Sequence, residues 1–520
     1  MELRDLKRVR RVVSVGVAVL SGVLFLDLGG LIPPQVTSGI ASFQIVPALL
    51  KTLRITGLWT IGLGLILLLT LLFGRVYCST ICPLGTVQDI FIYAARRLAR
   101  RKHKRHWYDF SRPQYGVHYG LFVLIGLLVA TGSFFLLNLV EPFSNFGRMT
   151  ANLARPVIAG ANNVLASLLG YLNFYGLSRF PVHGISFEVV LGTMVFFAVI
   201  GYLSYTQGRL FCNLLCPAGA LLSLLSRVSL FKIVIDRATC TDCGLCEKVC
   251  KAKCIDSDAK KVEFAACVSC FNCIDACPTV GLKYERLSGN RGTINEVPAD
   301  PGRRAVLKAS ALPLFVAAGG IADTTNVAPG LSRSKGPVTP PGSIDVGRFT
   351  GLCAACHLCV SVCPTQVLAP TFLEYGMSGI FQPRMDYRIN YCTYECVLCT
   401  TICPTGAILP LTLESKKEVQ IGKVHFVKDD CIVVSKKKDC GACAEHCPTK
   451  AVTMVPYEGG LKIPETKDEI CVGCGACEHA CPTVPLKAIY VEANPGHLRA
   501  KKPEIKKLEP APDTGAEFPF

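Results

Sequence analysis

The sequence has no glycine-rich nucleotide-binding fingerprint, so nothing in it points to a nicotinamide or flavin site. Histidine is scarce: the chain has nine, and the pair flanking the apolar runs, His118 and His183, lie near opposite ends of that region. They offer no haem site. Acidic residues are outnumbered, 38 Asp and Glu against 55 Lys and Arg, for a formal net charge of +17. Such a surplus can mark a nucleic-acid patch, but here the basic runs adjoin apolar runs, where lipid headgroups and membrane topology account for them. No nucleic-acid partner is expected. What the sequence does have is 29 cysteines among 520 residues, half of them hydrophobic. A small disulfide-stapled scaffold would not also carry membrane-length apolar runs, so the thiols point to metal.

The first 235 residues read as an α-helical membrane domain. Mostly apolar runs of about 20 residues, the length that crosses the hydrocarbon layer, occur near Val12 to Ile32, Leu53 to Phe73, Val117 to Val140 and Ile185 to Tyr205. The first follows "MELRDLKRVRR" with no small-residue cleavage pattern, which suits an anchor. Arg4, Lys7, Arg8, Arg10 and Arg11 precede it, and "ARRLARRKHKRHW" (residues 95–107) separates the second and third runs. The segment from Glu141 to Ile185 has only Arg148, Arg155 and Arg179. The positive-inside bias then places the N-terminus and the second loop in the cytoplasm.

"GRVYCSTICPLG" (residues 74–85) follows the second run, and "GRLFCNLLCPAG" (residues 208–219) follows the fourth. The four spans therefore read as a parallel two-span repeat, with both CxxxCP motifs at the cytoplasmic edge. Cys78 and Cys82, like Cys212 and Cys216, share one face of a helical turn, and Pro83 and Pro217 suit the start of a new helix. Inert packed cysteines are the plain alternative. The repetition favours a redox site converging on the repeat axis, either a further small iron–sulfur cluster or two dithiol pairs.

Residues 236–300 change character. Cys240, Cys243, Cys246 and Cys250 have the spacing CxxCxxCxxxC, and Cys267, Cys270, Cys273 and Cys277 repeat it. This is the α+β bacterial two-cluster ferredoxin pattern, in which the last cysteine of each run serves the other run's cluster. It pairs Cys240, Cys243 and Cys246 with Cys277, and Cys267, Cys270 and Cys273 with Cys250. Zinc needs only four ligands and leaves paired quartets unexplained. Lys251 stands where the first run would have its proline, and Cys254 is left over as a dispensable residue.

Residues 301–349 form a break. Arg303 and Arg304 precede an apolar run, as in a twin-arginine export signal, and a Pro-, Gly- and Ser-rich linker follows. Export of the folded domain behind it is one reading; a short segment resting on the inner face is the other.

Residues 350–520 hold four more quartets, each closed by Cys-Pro: Cys353, Cys356, Cys359 and Cys363; Cys392, Cys396, Cys399 and Cys403; Cys431, Cys440, Cys443 and Cys447; Cys471, Cys474, Cys477 and Cys481. Spacing leaves open which runs exchange their last cysteine. "CAACH" (residues 353–357) matches a haem-attachment motif, but haem there would strand Cys359 and Cys363. Six quartets predict six 4Fe-4S clusters.

On these motifs the N-terminal part resembles the NapH-type membrane ferredoxins of periplasmic nitrate reduction. The remainder, from Arg303 through "PPGSIDVGRFTGLCAACHLCVSVCP", resembles the exported NapG- or MauM-type four-cluster ferredoxins. The resemblance implies a fusion of the two: a multi-pass protein of the bacterial inner membrane that takes electrons from the quinone pool. Its clusters would pass them to a redox partner such as a cytochrome or reductase, with the first ferredoxin domain cytoplasmic and the last periplasmic. Regulators and maturation factors of the wider group are the alternative. For a quinol site, "EPFSNFGR" offers Glu141 and Arg148 at the outer edge.

Overall fold

The computed structural model describes residues 5–27, 32–52, 58–101, 108–180, 186–286 and 336–502. The arginine pair at 303–304 and its apolar run lie outside the described residues.

Four long helices run back and forth between two cysteine-rich modules, labelled inner (residues 231–286) and outer (residues 336–502) after the sidedness expected above. The first, α1 (Asp5–Leu26), starts at the inner ferredoxin module, where Lys7 pairs with Asp275 at 2.5 Å. Its other end, Leu24 and Phe25, packs with Phe143, Phe146, Cys356 and Leu358. Twenty-two residues at 1.5 Å each give about 33 Å, so the two modules sit at opposite ends of this helix. A hairpin of short helices, α2 (Pro34–Ala41) and α3 (Ile45–Thr52), leads to α4 (Leu58–Phe73), which returns to the inner module. There the Phe73 carbonyl accepts from the Ser269 and Tyr284 hydroxyls at 3.2 and 3.1 Å. After α5 (Val76–Thr80) and α6 (Pro83–Arg101), α7 (Tyr115–Ala130) crosses outward. The chain continues through α8 (Phe135–Val140), α9 (Pro142–Met149), a π-helical turn at Thr150–Ala154 and α10 (Arg155–Tyr171). The last crossing is α11 (Phe187–Gln207), which runs from Val189, packed with Ala355 and Phe381 of the outer module, to Gly208. Two short helices, α12 (Leu210–Leu214) and α13 (Pro217–Ser226), complete the domain.

Among the described residues, α1 and α11 are long and apolar enough to cross a membrane. The other two expected spans are shorter as helices. α4 is described from Leu58 onward, and the expected third span is broken after Ala130, where Gly132 adopts φ +85° and the chain bends before α8. The segment 141–185, expected as a loop, instead carries α9 and α10. From Pro156 to Ser178 it has no charged residue, and Val157, Val164 and Tyr171 of α10 are exposed.

The inner module is closed by strand Phe231–Ile235, antiparallel to Leu282–Arg286, so its first strand lies on the membrane side of the expected boundary at 235. In the outer module, Val419–Phe426 pairs with the long C-terminal strand Ile489–Arg499, and Val452–Pro456 with Lys462–Thr466. The outer module rests on the helical domain through polar as well as apolar contacts. Lys51 donates to the Cys403 carbonyl at 3.1 Å and Arg155 to the Val360 carbonyl at 3.5 Å. His357, of the haem-like motif, is buried with its ring nitrogens 2.7 Å from the Phe381 carbonyl and 3.3 Å from Asn152 Oδ1. It is a docking residue with no nitrogen to spare for iron.

Candidate iron–sulfur cradles and the buried core between them

The regular runs share a local backbone device. Residues two and four places after the first cysteine lie in the left-handed region: Asp242 and Gly244, Ser269 and Phe271, Ala355 and His357, Gly473 and Gly475, with φ between 48° and 79°. This twist wraps a tight loop around a concave site, which lets three thiols of one run face the same space. The runs starting at Cys392 and Cys431, whose spacing is irregular, lack it.

The fourth thiol comes from the neighbouring run. Cys240, Cys243 and Cys246 line a small pocket with Cys277. Cys392, Cys396 and Cys399 line another with Cys363. Cys431, Cys440 and Cys443 meet Cys481 around a third, and Cys471, Cys474 and Cys477 meet Cys447 around a fourth. Burial pushes up the Cys273 thiol, with Cys270, Cys267 and Cys250 adding to the effect. It does the same to Cys359, with Cys353, Cys356 and Cys403 around it. The outer runs therefore exchange last cysteines first with second and third with fourth. Four thiols around an apolar-walled cavity are the donor set that a four-iron, four-sulfide cube requires.

The outer cradles adjoin one another and the helical domain. The Cys353 cradle abuts the helical domain, where a Cβ on Gly147 would fall 2.4 Å from the Cys356 carbonyl. The Cys392 amide donates to the Cys474 carbonyl at 2.9 Å, which places the Cys471 cradle next in line. At the inner end, Ser269 of the Cys267 run bonds α4.

A signal missed in the sequence is the threonine after each Cys-Pro. Thr279, Thr365, Thr405, Thr449 and Thr483 each place a hydroxyl 3.1 to 3.8 Å from the sulfur of the last cysteine of their run. The exceptional run, Cys250–Lys251, has Cys254 there instead, its buried Sγ 3.5 Å from Cys250 Sγ. We expect Cys254→Ala to keep its cluster but move that cluster's midpoint potential to a more negative value, because hydrogen bonds to ligand sulfurs raise it. Redox titration by electron paramagnetic resonance reads this, and an unchanged potential restores the dispensable reading.

The two CxxxCP motifs meet. Arg75 and Arg209, both completely buried, cross over between the repeats. Arg75 donates to the Cys212 carbonyl at 2.9 Å and to Asn213 Oδ1 at 2.7 Å; Arg209 donates to the Cys78 carbonyl at 3.0 Å. Each guanidinium also lies 4.0 Å from the sulfur of its own repeat, Cys78 or Cys212. Gly85 and Gly219 make room for this exchange, since a Cβ there would sit 2.4 or 2.2 Å from the Cys78 or Cys212 carbonyl. All four cysteines are buried. Burial raises the Cys82 and Cys216 thiols, and their neighbours in both repeats raise them further.

Glu141 and Arg148, expected at a loop edge, are instead buried beneath the outer module, 1% and 3% exposed. Glu141 caps α9, accepting from the Phe143 and Ser144 amides. Burial raises its carboxyl, against the pull of the Ser144 contacts. Arg148 donates to Asn145 Oδ1 at 2.6 Å and lies over the Phe381 ring at 4.8 Å. Burial lowers it to about 10. Around them Arg148 Nη1 and both amide atoms of Asn138 are buried with no partner among the described residues. Buried polar atoms of this kind ordinarily find a water or another polar group as partner.

Comparisons agree with this chemistry. A family model described as "4Fe-4S binding domain" matches residues 55–105 and 189–235, which include the two CxxxCP motifs. Another of that description matches 237–253 and 350–366, and a "4Fe-4S dicluster domain" matches 438–484. An uncharacterized protein of Methanocaldococcus jannaschii is 30% identical over 114 residues, 22% of this chain and 44% of that protein. YccM of Escherichia coli is 27% identical over 43% of this chain and 56% of its own length. The chain thus spans about half the length of these two relatives. The ferredoxin-type protein NapH of Haemophilus influenzae is 28% identical over 51% of this chain and 78% of its own. No solved structure matches.

Proposed function

We propose that this chain, an iron–sulfur electron-transport protein related to NapH, oxidises membrane quinol and passes the electrons on through its 4Fe-4S clusters, two in the inner module and four in the outer. α1, α4, α7 and α11 are its four membrane crossings, with the inner module in the cytoplasm and the outer module in the periplasm. Bound clusters would supply one-electron carriers at the cradles; the residues around them supply binding, spacing and proton handling. The observation that carries the reading is the Glu141–Arg148 pair, buried with unpartnered polar neighbours directly under the Cys353–Cys356–Cys359–Cys403 cradle. Quinol gives up two electrons and two protons together, so its site needs a base and a nearby electron acceptor. Glu141, its affinity for a proton raised by burial, is the base; Arg148 and Asn138 have free donors for the quinol oxygens.

Protein purified without oxygen should contain roughly 24 irons per chain, four for each cradle, and a soluble quinol should bleach the cluster absorbance. About eight irons in full-length protein, or absorbance indifferent to quinol, would reject the reading. A reporter that fluoresces only in the cytoplasm, fused after Phe520, should stay dark. Bright intact fusion would put both modules on one side.

A further inference from the structure

The charges around the two CxxxCP motifs do not balance as the side chains stand. Arg10, Arg209 and Lys251 all converge on one carboxylate, Asp89, at 3.2, 2.6 and 3.0 Å. Arg10 and Lys251 also face Cys270 of the inner module, so a cluster in that cradle is their second counter-charge. Arg209 has Asp89. Among the described residues Arg75 meets no carboxylate: its partners are Asn213 Oδ1, the Ala265 and Cys212 carbonyls and, at 4.0 Å, the Cys78 sulfur. A fully buried guanidinium without an anion is strongly disfavoured.

We propose that Cys78, Cys82, Cys212 and Cys216 hold one anionic iron–sulfur centre shared between the two repeats, with Arg75 and Arg209 as its fixed counter-charges. The matched family description covers each repeat separately, yet each brings only two cysteines, half a ligand set. The crossing of the arginines joins the halves. Charge also decides between a cluster and dithiol pairs. A dithiol and its disulfide differ by two electrons and two protons and are both neutral, so neither working state gives Arg75 an anion. Four thiolates on a two-iron or four-iron core carry a net negative charge in both states; one electron gained from a neighbouring reduced cluster adds one negative charge, with no bond broken and no proton taken. Arg75 then has an anion throughout.

This inference rests on the iron–sulfur reading but is tested by a difference, independent of the total iron count. Wild type and a variant with all four cysteines changed to serine are purified in parallel without oxygen. The variant should lack about two to four irons relative to wild type and one electron paramagnetic resonance signal. Arg75→Gln should keep that iron but lower the midpoint potential of the same signal, and Arg75→Lys should bring it part of the way back. Should the fourfold variant fold poorly, Cys212→Ser alone must remove the signal. Equal iron and identical spectra, with helix content intact by circular dichroism, overturn the centre. A signal whose potential ignores Arg75→Gln overturns the role of the arginine. Low iron in both proteins with the difference preserved would instead count against the six-cluster reading alone.

Discussion

Gly147→Val should silence electron delivery to the outer module while leaving every cysteine in place. Gly147 lies on α9 where the helical domain meets the Cys353 run: a Cβ there would fall 2.4 Å from the Cys356 carbonyl and 2.6 Å from the Phe25 ring. Neither neighbour can yield cheaply, because Phe25 is buried between Phe143 and Phe146 and the carbonyl belongs to the cradle loop. The outer module must lift off by an ångström or more, and misplacement on that scale costs on the order of a hundredfold in a rate that depends on position. Quinol-driven reduction of the outer clusters, followed by stopped-flow absorbance, should fall by about that factor. Iron content and reduction by dithionite should not change, since neither passes through the interface. If quinol still reduces the outer clusters at the wild-type rate, electrons do not enter through this contact.

The ligands of this protein are written in its sequence and their partners are not. CxxCxxCxxxC spacing reports how three thiols share one loop, so each cradle's local half could be read directly. The exchange of Cys363 with Cys403, and of Cys447 with Cys481, depends on which loops pack together, and that is set by strands such as 419–426 and 489–499 that lie far apart in the chain. The threonine after each Cys-Pro was in plain view, but its hydroxyl matters only once the turn brings it to the sulfur. The repeated Gly-Arg before each CxxxCP carried more than it showed: periodicity announced a repeat, yet only the packed structure crosses Arg75 to Cys212 and Arg209 to Cys78. α10 escaped notice because Asn162, Asn163 and its small residues dilute an apolar run that is nevertheless free of charge. Glu141 looked like a loop-end charge because its covering, residues 353–381, comes some two hundred residues later in the chain.

Glu141→Gln should slow quinol oxidation by about a hundredfold, the usual worth of a positioned general base, and do so without loss of clusters. The substitution keeps the shape of the side chain and one oxygen to accept from the Phe143 and Ser144 amides, so the cap of α9 survives in part. What it removes is the proton acceptor. Burial raises the carboxyl of Glu141 above its ordinary value, which makes it a better base for a quinol hydroxyl than an exposed glutamate would be. Arg148→Ala removes a different property. Its guanidinium holds the α8–α9 corner through Asn145, stacks on Phe381 and leaves Nη1 free. Loss of those contacts should raise the quinol concentration needed for half-maximal rate and loosen the outer module together. The two variants therefore separate: Glu141→Gln lowers the maximal rate with little change in quinol requirement, and Arg148→Ala changes both. Steady-state quinol oxidation with an artificial acceptor measures each. Wild-type kinetics from both variants would place the quinol site elsewhere and leave this buried pair as the joint that seats the outer module.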